Sequence, residues 1–159
     1  MKSHPSDLPA PYAALLINDG TIQRIHVQRA QSGQSHIREL IGDSFSSCFT
    51  LPGTGGRRLI IAYCDDRYLD KPRADLPWNV MLDPHTVYRD GWPVAGPIVV
   101  TTVVAPDTVS MNELEMAALR IDAPPPPAFL FEGEVLTLPL LIFRPGYDVE
   151  RLAQPSRAR

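Results

Sequence analysis

Only two cysteines, Cys48 and Cys64, occur in the 159 residues. Two cysteines supply neither a disulfide framework nor a zinc site, which ordinarily takes four Cys or His ligands in paired spacing. Long apolar runs are missing too: none approaches the ~18 residues a membrane-crossing helix requires. The opening MKSHPSDLPAPY lacks the apolar core of a secretory signal. The expectation is a cytoplasmic protein with no membrane partner. There is also no basic excess, with 15 Lys and Arg against 18 Asp and Glu and a formal charge of -3. That balance argues against a broad nucleic-acid-binding face. Arg24, Arg29, Arg57, Arg58, Arg67 and Arg73 are scattered, and the denser pair Arg157 and Arg159 reads as a frayed end.

What the chain does have is proline, seventeen in all, about twice the usual share. They fall in the N-terminal arm, the run Pro124 to Pro127, and the middle segments around Pro72, Pro77, Pro84, Pro93 and Pro97. With 44% apolar residues the chain is still hydrophobic enough to fold around one core. The expected organisation is a proline-rich arm over 1–11, a core domain over 12–123, a Pro-linked strand pair over 124–145 and a flexible tail over 146–159. No internal repeat is visible.

AALLINDGTIQRIHVQR reads as a hairpin, because Asp19-Gly20 supplies the positive backbone angles of a tight turn. SGQSHIRELIGDS predicts a short helix with Ile37, Leu40 and Ile41 on one face, Ser35 at its start and Gly42 at its stop. SFSSCFTL and RLIIAYC form a second hairpin around PGTGGR, the latter apolar on both faces like a covered central strand. The simplest register sets Cys48 opposite Ile61 and Cys64 opposite Phe45, so the thiols lie on opposite faces. A disulfide requires that register to be wrong by one residue.

Beyond Asp70 the prolines forbid a long helix, and WNVMLD, 78–83, predicts about one helical turn. Trp92 to Val104 is the strongest strand signal, with Pro97 marking an edge, a bulge or the strand's true beginning. DTVSMNELEMAALR predicts a helix with a Ser110 to Glu113 capping box and Met111, Leu114, Ala118 and Leu119 near one face. AFLFEGEVLTLPLLIFRP then gives a short strand, a turn at Glu132-Gly133 and a longer strand containing Pro139. This pair either extends the main sheet or docks on a second subunit, so a homo-oligomer stays open. The fold class is α+β: a mainly antiparallel sheet covered by two short helices, with an added C-terminal β-hairpin.

Several constellations carry chemistry on paper. Cys64 activated by His26, His36 or His85, with Asp65 or Asp66 orienting the base, would be a nucleophilic site. Nothing in the sequence brings these together, and free cysteine is usually a buried apolar residue. Asp65, Asp66, Asp70 and Asp75 could hold a hard cation, but they miss the EF-hand spacing and are interleaved with Arg67, Lys71 and Arg73. GTGGRR offers flexible amides before two arginines, yet it lacks the lysine and hydroxyl of a Walker loop and precedes a strand. No catalytic residue, metal ligand or cofactor is assigned. The aromatics Tyr63, Tyr68, Trp78, Tyr88 and Trp92 gather around a long middle loop, and Tyr and Trp are enriched at interfaces. An irregular loop of that length is unusual unless functional.

INDGTIQRIHV, IRELIGDSF, IIAYCDDRYLDKPRADLPWNVM and VAGPIVVTT, in that order from Leu15 to Ala105, resemble a small uncharacterised domain family of actinobacteria, their plasmids and their phages, known only as a domain of unknown function. The resembling features are the aspartate-rich turn at Tyr63 to Asp66, the Pro77 to Asn79 loop and the Gly96 to Val100 strand. The chain departs from the pattern where Arg67 replaces the glycine that usually follows the acidic pair. The resemblance implies a small intracellular domain of a mobile element without catalytic residues. The leading expectation is a non-enzymatic protein of a phage or mobile element that binds a host protein or other macromolecule through the loop 65–92. Its contact residues would be Asp65, Asp66, Arg67, Tyr68, Trp78, Asn79, Tyr88 and Trp92. The alternative is a protein that sequesters a nucleotide or phosphorylated signal with Arg57, Arg58 and Arg67, since arginine binds phosphate bidentately.

Overall fold

The computed structural model of the chain describes residues 10–29, 35–83, 92–122 and 128–147. The N-terminal arm, the Pro124 to Pro127 run, Tyr88, His85 and the 148–159 part of the tail lie outside the described residues. The architecture is mostly antiparallel sheet with two short helices, an α+β arrangement.

The first sheet begins with β1 (Tyr12–Asn18) and β2 (Thr21–Val27), paired from Asn18 with Thr21 to Tyr12 with Val27. Asp19 and Gly20 join them at φ 52° and 72°, the positive angles that two-residue hairpin turns require. Helix α1 (Ser35–Ile41) ends at Gly42, whose φ is 132° and whose N–H donates to the Arg38 carbonyl at 2.8 Å. Strands β3 (Phe45–Pro52) and β4 (Leu59–Asp65) follow, then β5 (Trp78–Leu82), β6 (Trp92–Ala95), β7 (Ile98–Val104) and β8 (Asp107–Val109). The first sheet runs β2-β1-β7-β4-β3, with β8 also pairing β7. Ile37 and Ile41 of α1 bury against Tyr12, Ala14 and Val99 on one face of it.

The other face packs on a second sheet, ordered β6-β5-β12-β9, where β9 is Leu119–Asp122 and β12 is Leu140–Phe143. Leu15, Ile17, Ile60, Ala62 and Val100 from the first sheet meet Val80, Leu82, Val94 and Leu141 from the second in one apolar core. Two sheets that each have one apolar face bury them against each other at roughly 25 cal/mol per Å² removed from water. The chain crosses between sheets at Gly96-Pro97. Gly96 has φ 80°, and a Cβ there would fall 2.5 Å from Leu76 Cδ1, so only glycine fits the crossing. Pro97 therefore marks the true beginning of β7, and the 92–104 signal is two strands in different sheets.

Three elements differ from the sequence expectation. Trp78–Leu82 is a strand, not a helical turn: Val80 pairs with Val94 and β12 adds alongside in parallel, so a five-residue apolar run takes the conformation its neighbours impose. The second helix, α2 (Glu113–Ala118), is shorter than predicted because Asp107–Val109 hydrogen-bonds to β7 and Leu119 opens β9. Its cap is Asn112 with Glu115, not Ser110 with Glu113; Ser110 Oγ instead accepts from Ala13 N–H at 2.8 Å, and Leu114 is exposed. At the C-terminus β10 (Phe129–Phe131) and β11 (Glu134–Leu136) form the expected hairpin through Glu132-Gly133. The longer strand breaks at Pro139, which has no N–H for a ladder. Its carbonyl accepts from Met81 N–H at 2.9 Å, and β12 then enters the second sheet with Leu141 fully buried.

Candidate functional site

The β3–β4 hairpin carries a polar cluster at each end. At the turn end Glu115 is fully buried. It accepts from Arg58 Nε at 2.9 Å and Nη2 at 2.8 Å, Thr54 N–H at 2.9 Å, Thr102 Oγ1 at 3.1 Å and Asn112 N–H at 3.1 Å. Burial by itself raises a carboxyl pKa, but here the Arg58 guanidinium and the Thr54 and Asn112 amides outweigh it and hold Glu115 at about 2. A carboxylate with its lone pairs so fully engaged is built into the fold.

At the open end the residues expected in an interaction loop divide. Asp65 is fully buried, accepts from Arg67 N–H at 2.9 Å and pairs with Lys71 Nζ. Asn79 is buried, its Nδ2 donating to the Ile17 carbonyl at 2.9 Å and the Gly96 carbonyl at 2.8 Å while Oδ1 accepts from Gly20 N–H at 2.9 Å. It ties the first turn to the sheet crossing. Asp66 and Arg67 are exposed on the turn after β4. Tyr68 is buried with its hydroxyl donating to the Pro93 carbonyl at 3.0 Å and accepting from Trp92 Nε1. Trp78 is half-buried beneath Arg73, whose guanidinium carbon lies 3.8 Å from the ring centroid.

Trp92 and Trp78 both meet Phe131 edge-on, with ring centroids 5.1 and 5.8 Å apart, which joins the middle segment to the β10–β11 hairpin. On that hairpin Leu130 and Val135 are cross-strand partners and stand 70% and 69% exposed. Trp92 and Leu69 are also partly open to solvent. Sequence reasoning missed the hairpin's share of this surface; the alternation of Leu130 with Phe129 and Phe131 was the signal that pointed to an outward apolar residue.

Arg57, Arg58 and Arg67 are not brought together. Arg58 is held by Glu115, while Arg57 precedes β4 and Arg67 follows it, so a whole strand separates them.

The cysteines depart from the expected register. Ser46 pairs with Cys64, and a bulge between Ser47 and Phe49 leaves Cys48 without a partner on β4. Bulged residues turn toward the same face, so both thiols point into one cleft of about 310 Å³, lined also by Ser47, Tyr68, Leu82, Trp92 and Val94. The expectation of opposite faces is overturned: the register differs from the expected one by one residue at Ser46–Cys64 and, beyond the bulge, by two at Thr50–Ile61. Both cysteines are free thiols. Their mutual hydrogen bond, with burial adding to it, pushes the Cys48 thiol well above the usual range; the same bond draws Cys64 down, against burial and the negative charges of Asp65 and Asp66. Of the histidines considered for Cys64, the two described ones are elsewhere: His26 is exposed on β2, three strands away, and His36 accepts from Gln28 N–H. Among the described residues no group of three or more His, Cys, Asp or Glu is placed to hold a metal ion, and no helix is long and apolar enough to cross a membrane.

No family model, no curated protein and no solved structure matches the chain.

Proposed function

We propose that the chain is a non-enzymatic binding protein that occupies another protein, its contact surface lying where Trp92 meets the β10–β11 hairpin. The observation that carries this reading is the pair Leu130 and Val135, each about 70% exposed on the solvent face of a hairpin whose other face is anchored by Phe131 on Trp92 and Trp78. Scattered exposed apolar residues are ordinary. A cross-strand apolar pair facing solvent, backed by Phe131 and Trp92, has the composition of an interface centre. Of the contact residues expected from sequence, Trp92 and Trp78 meet the hairpin through Phe131; Tyr68, Asp65 and Asn79 are engaged in holding the fold; Asp66 and Arg67 are exposed on the turn after β4; and Tyr88 lies outside the described residues. The resemblance to mobile-element domains supports a host protein as the partner.

The test is native mass spectrometry of the full chain purified gently from its host's lysate, beside the double variant Leu130→Ser, Val135→Ser. The proposal expects a co-purifying protein that the double variant holds at least about tenfold more weakly while melting at an unchanged temperature, since exposed sites rarely alter stability by more than about 0.5 kcal/mol. Equal retention by both chains overturns it.

The small-ligand reading keeps support from the thiol cleft, whose volume lies at the lower end of ligand pockets. Among the described residues its lining holds no charged side chain, which supports a neutral or thiophilic ligand over a phosphorylated one. Calorimetry with a nucleotide panel checks the point: the cleft predicts no heat, and binding that survives Arg57→Ala and Arg67→Ala would still contradict it.

A further inference from the structure

Cys48 and Cys64 are free thiols on the two strands of one hairpin, and both line a cleft that opens beside the part-exposed Trp92. The ordinary reading of a buried cysteine is a small apolar filler, and Cys64 alone would be that. The bulge leaves Cys48 without a cross-strand partner; it packs against the core from a half-buried position and brings a second thiol to the cleft that Cys64 lines. Bulges commonly re-aim a side chain beside a working site.

We propose that Cys48 and Cys64 are a thiol–disulfide exchange pair that takes a low-molecular-weight disulfide as its co-reactant. The thiolate of Cys64 attacks one sulfur of the small disulfide; a Cys64–sulfur bond forms, the small S–S bond breaks and the first small thiolate leaves. Cys48 then loses its proton and attacks the Cys64 sulfur, forming the Cys48–Cys64 bond and expelling the second small thiolate. The protein dithiol gives up two electrons and two protons, and the small disulfide gains them as two thiols. Exchange runs through such mixed disulfides and depends on the attacking thiolate and on access to it. The cleft that both cysteines line supplies the access, and the neighbouring Cys48 draws the Cys64 thiol below its usual range. A metal role is less well supported, since no third ligand stands near the pair among the described residues.

The experiment uses the full chain, reduced and then incubated with oxidised glutathione, quenched in acid, alkylated and weighed intact. The expected product is a chain lighter by two hydrogens, with no alkylated cysteine and no retained glutathione. Cys48→Ser and Cys48→Ala are both expected to stop at a stable mixed disulfide on Cys64. Retained glutathione on the wild-type chain overturns the proposal, as does full alkylation under conditions that oxidise dithiothreitol. Closure that occurs in denaturant but not in the native chain also overturns it, because that would be chemistry of the unfolded cysteines and not of the cleft.

Discussion

The two ends of the β3–β4 hairpin hold contrasting kinds of polarity. At the turn end, Glu115 is fully buried yet surrounded by the Arg58 guanidinium, two backbone amides and two hydroxyls. At the open end, Cys48 and Cys64 are free thiols that line one cleft. Both clusters are reached by residues adjacent in sequence to glycine-rich or acidic turns, and both resemble sites when read as strings of letters. The difference is in spare valence and access. A group whose every lone pair is used inside the fold has nothing left for a ligand; a pair of free thiols lining an open cleft does.

The sharpest way to break this contrast is to remove Arg58. Arg58→Ala leaves Glu115 buried without its counter-charge, and breaking such a pair typically costs about 3–5 kcal/mol. Urea unfolding followed by tryptophan fluorescence should show a loss in that range. Adding Glu115→Leu should recover only part, because Thr54, Thr102 and Asn112 then lose their acceptor. A cost below about 1 kcal/mol for Arg58→Ala would mean the network is a surface feature, and the contrast with the cleft would collapse.

Acid gives the next largest effect. The folded pKa of Glu115, about 2, lies below the ordinary 4.5. A depressed carboxyl pKa contributes stability that is complete above the unfolded value and lost as pH falls through the folded one. The window is therefore from about 4.5 down to about 2, and the contribution at stake is about 3 kcal/mol at 1.36 kcal/mol per unit. Unfolding midpoints measured across this window should fall with pH in the wild type and show a clearly shallower slope in Glu115→Gln. Parallel slopes would place the acid sensitivity elsewhere.

How much of this was legible follows from the range of the forces involved. The Asp19-Gly20 turn and the Gly42 stop are written locally, in backbone angles that few residues adopt, and the sequence pattern finds them; Pro97 left three readings open, of which the start of β7 is the one observed. The helix cap shows the limit. Ser110 with Glu113 and Asn112 with Glu115 share one spacing, and the choice falls to the second because Glu115 meets Arg58 from 57 positions away. The strand at Trp78–Leu82 is likewise decided by β6 and β12, not by its own five residues. For the site, the aromatic richness of the middle segment was visible in composition, and its junction with Phe131 was not. The bulge at Cys48 carries no glycine or proline, so nothing in SFSSCFTL announces the half-step that turns one thiol toward the other.

The smallest expected effect lies in that same half-step. Cys48 is half-buried, packs against the rim of the core, and has no backbone partner on β4. Replacing it by serine keeps a donor of similar size at a position where water reaches, so Cys48→Ser should change unfolding stability by less than about 1 kcal/mol. Cys64→Ser should cost more, about 1–3 kcal/mol, because its hydroxyl would sit in a buried site built for sulfur. Urea unfolding of the two variants side by side measures the asymmetry. If Cys48→Ser is as costly as Arg58→Ala, the cleft end is as structural as the turn end, and the bulge exists to seat a packing residue. If it is nearly silent, the fold has no need of that thiol, and its orientation toward Cys64 calls for a chemical reason.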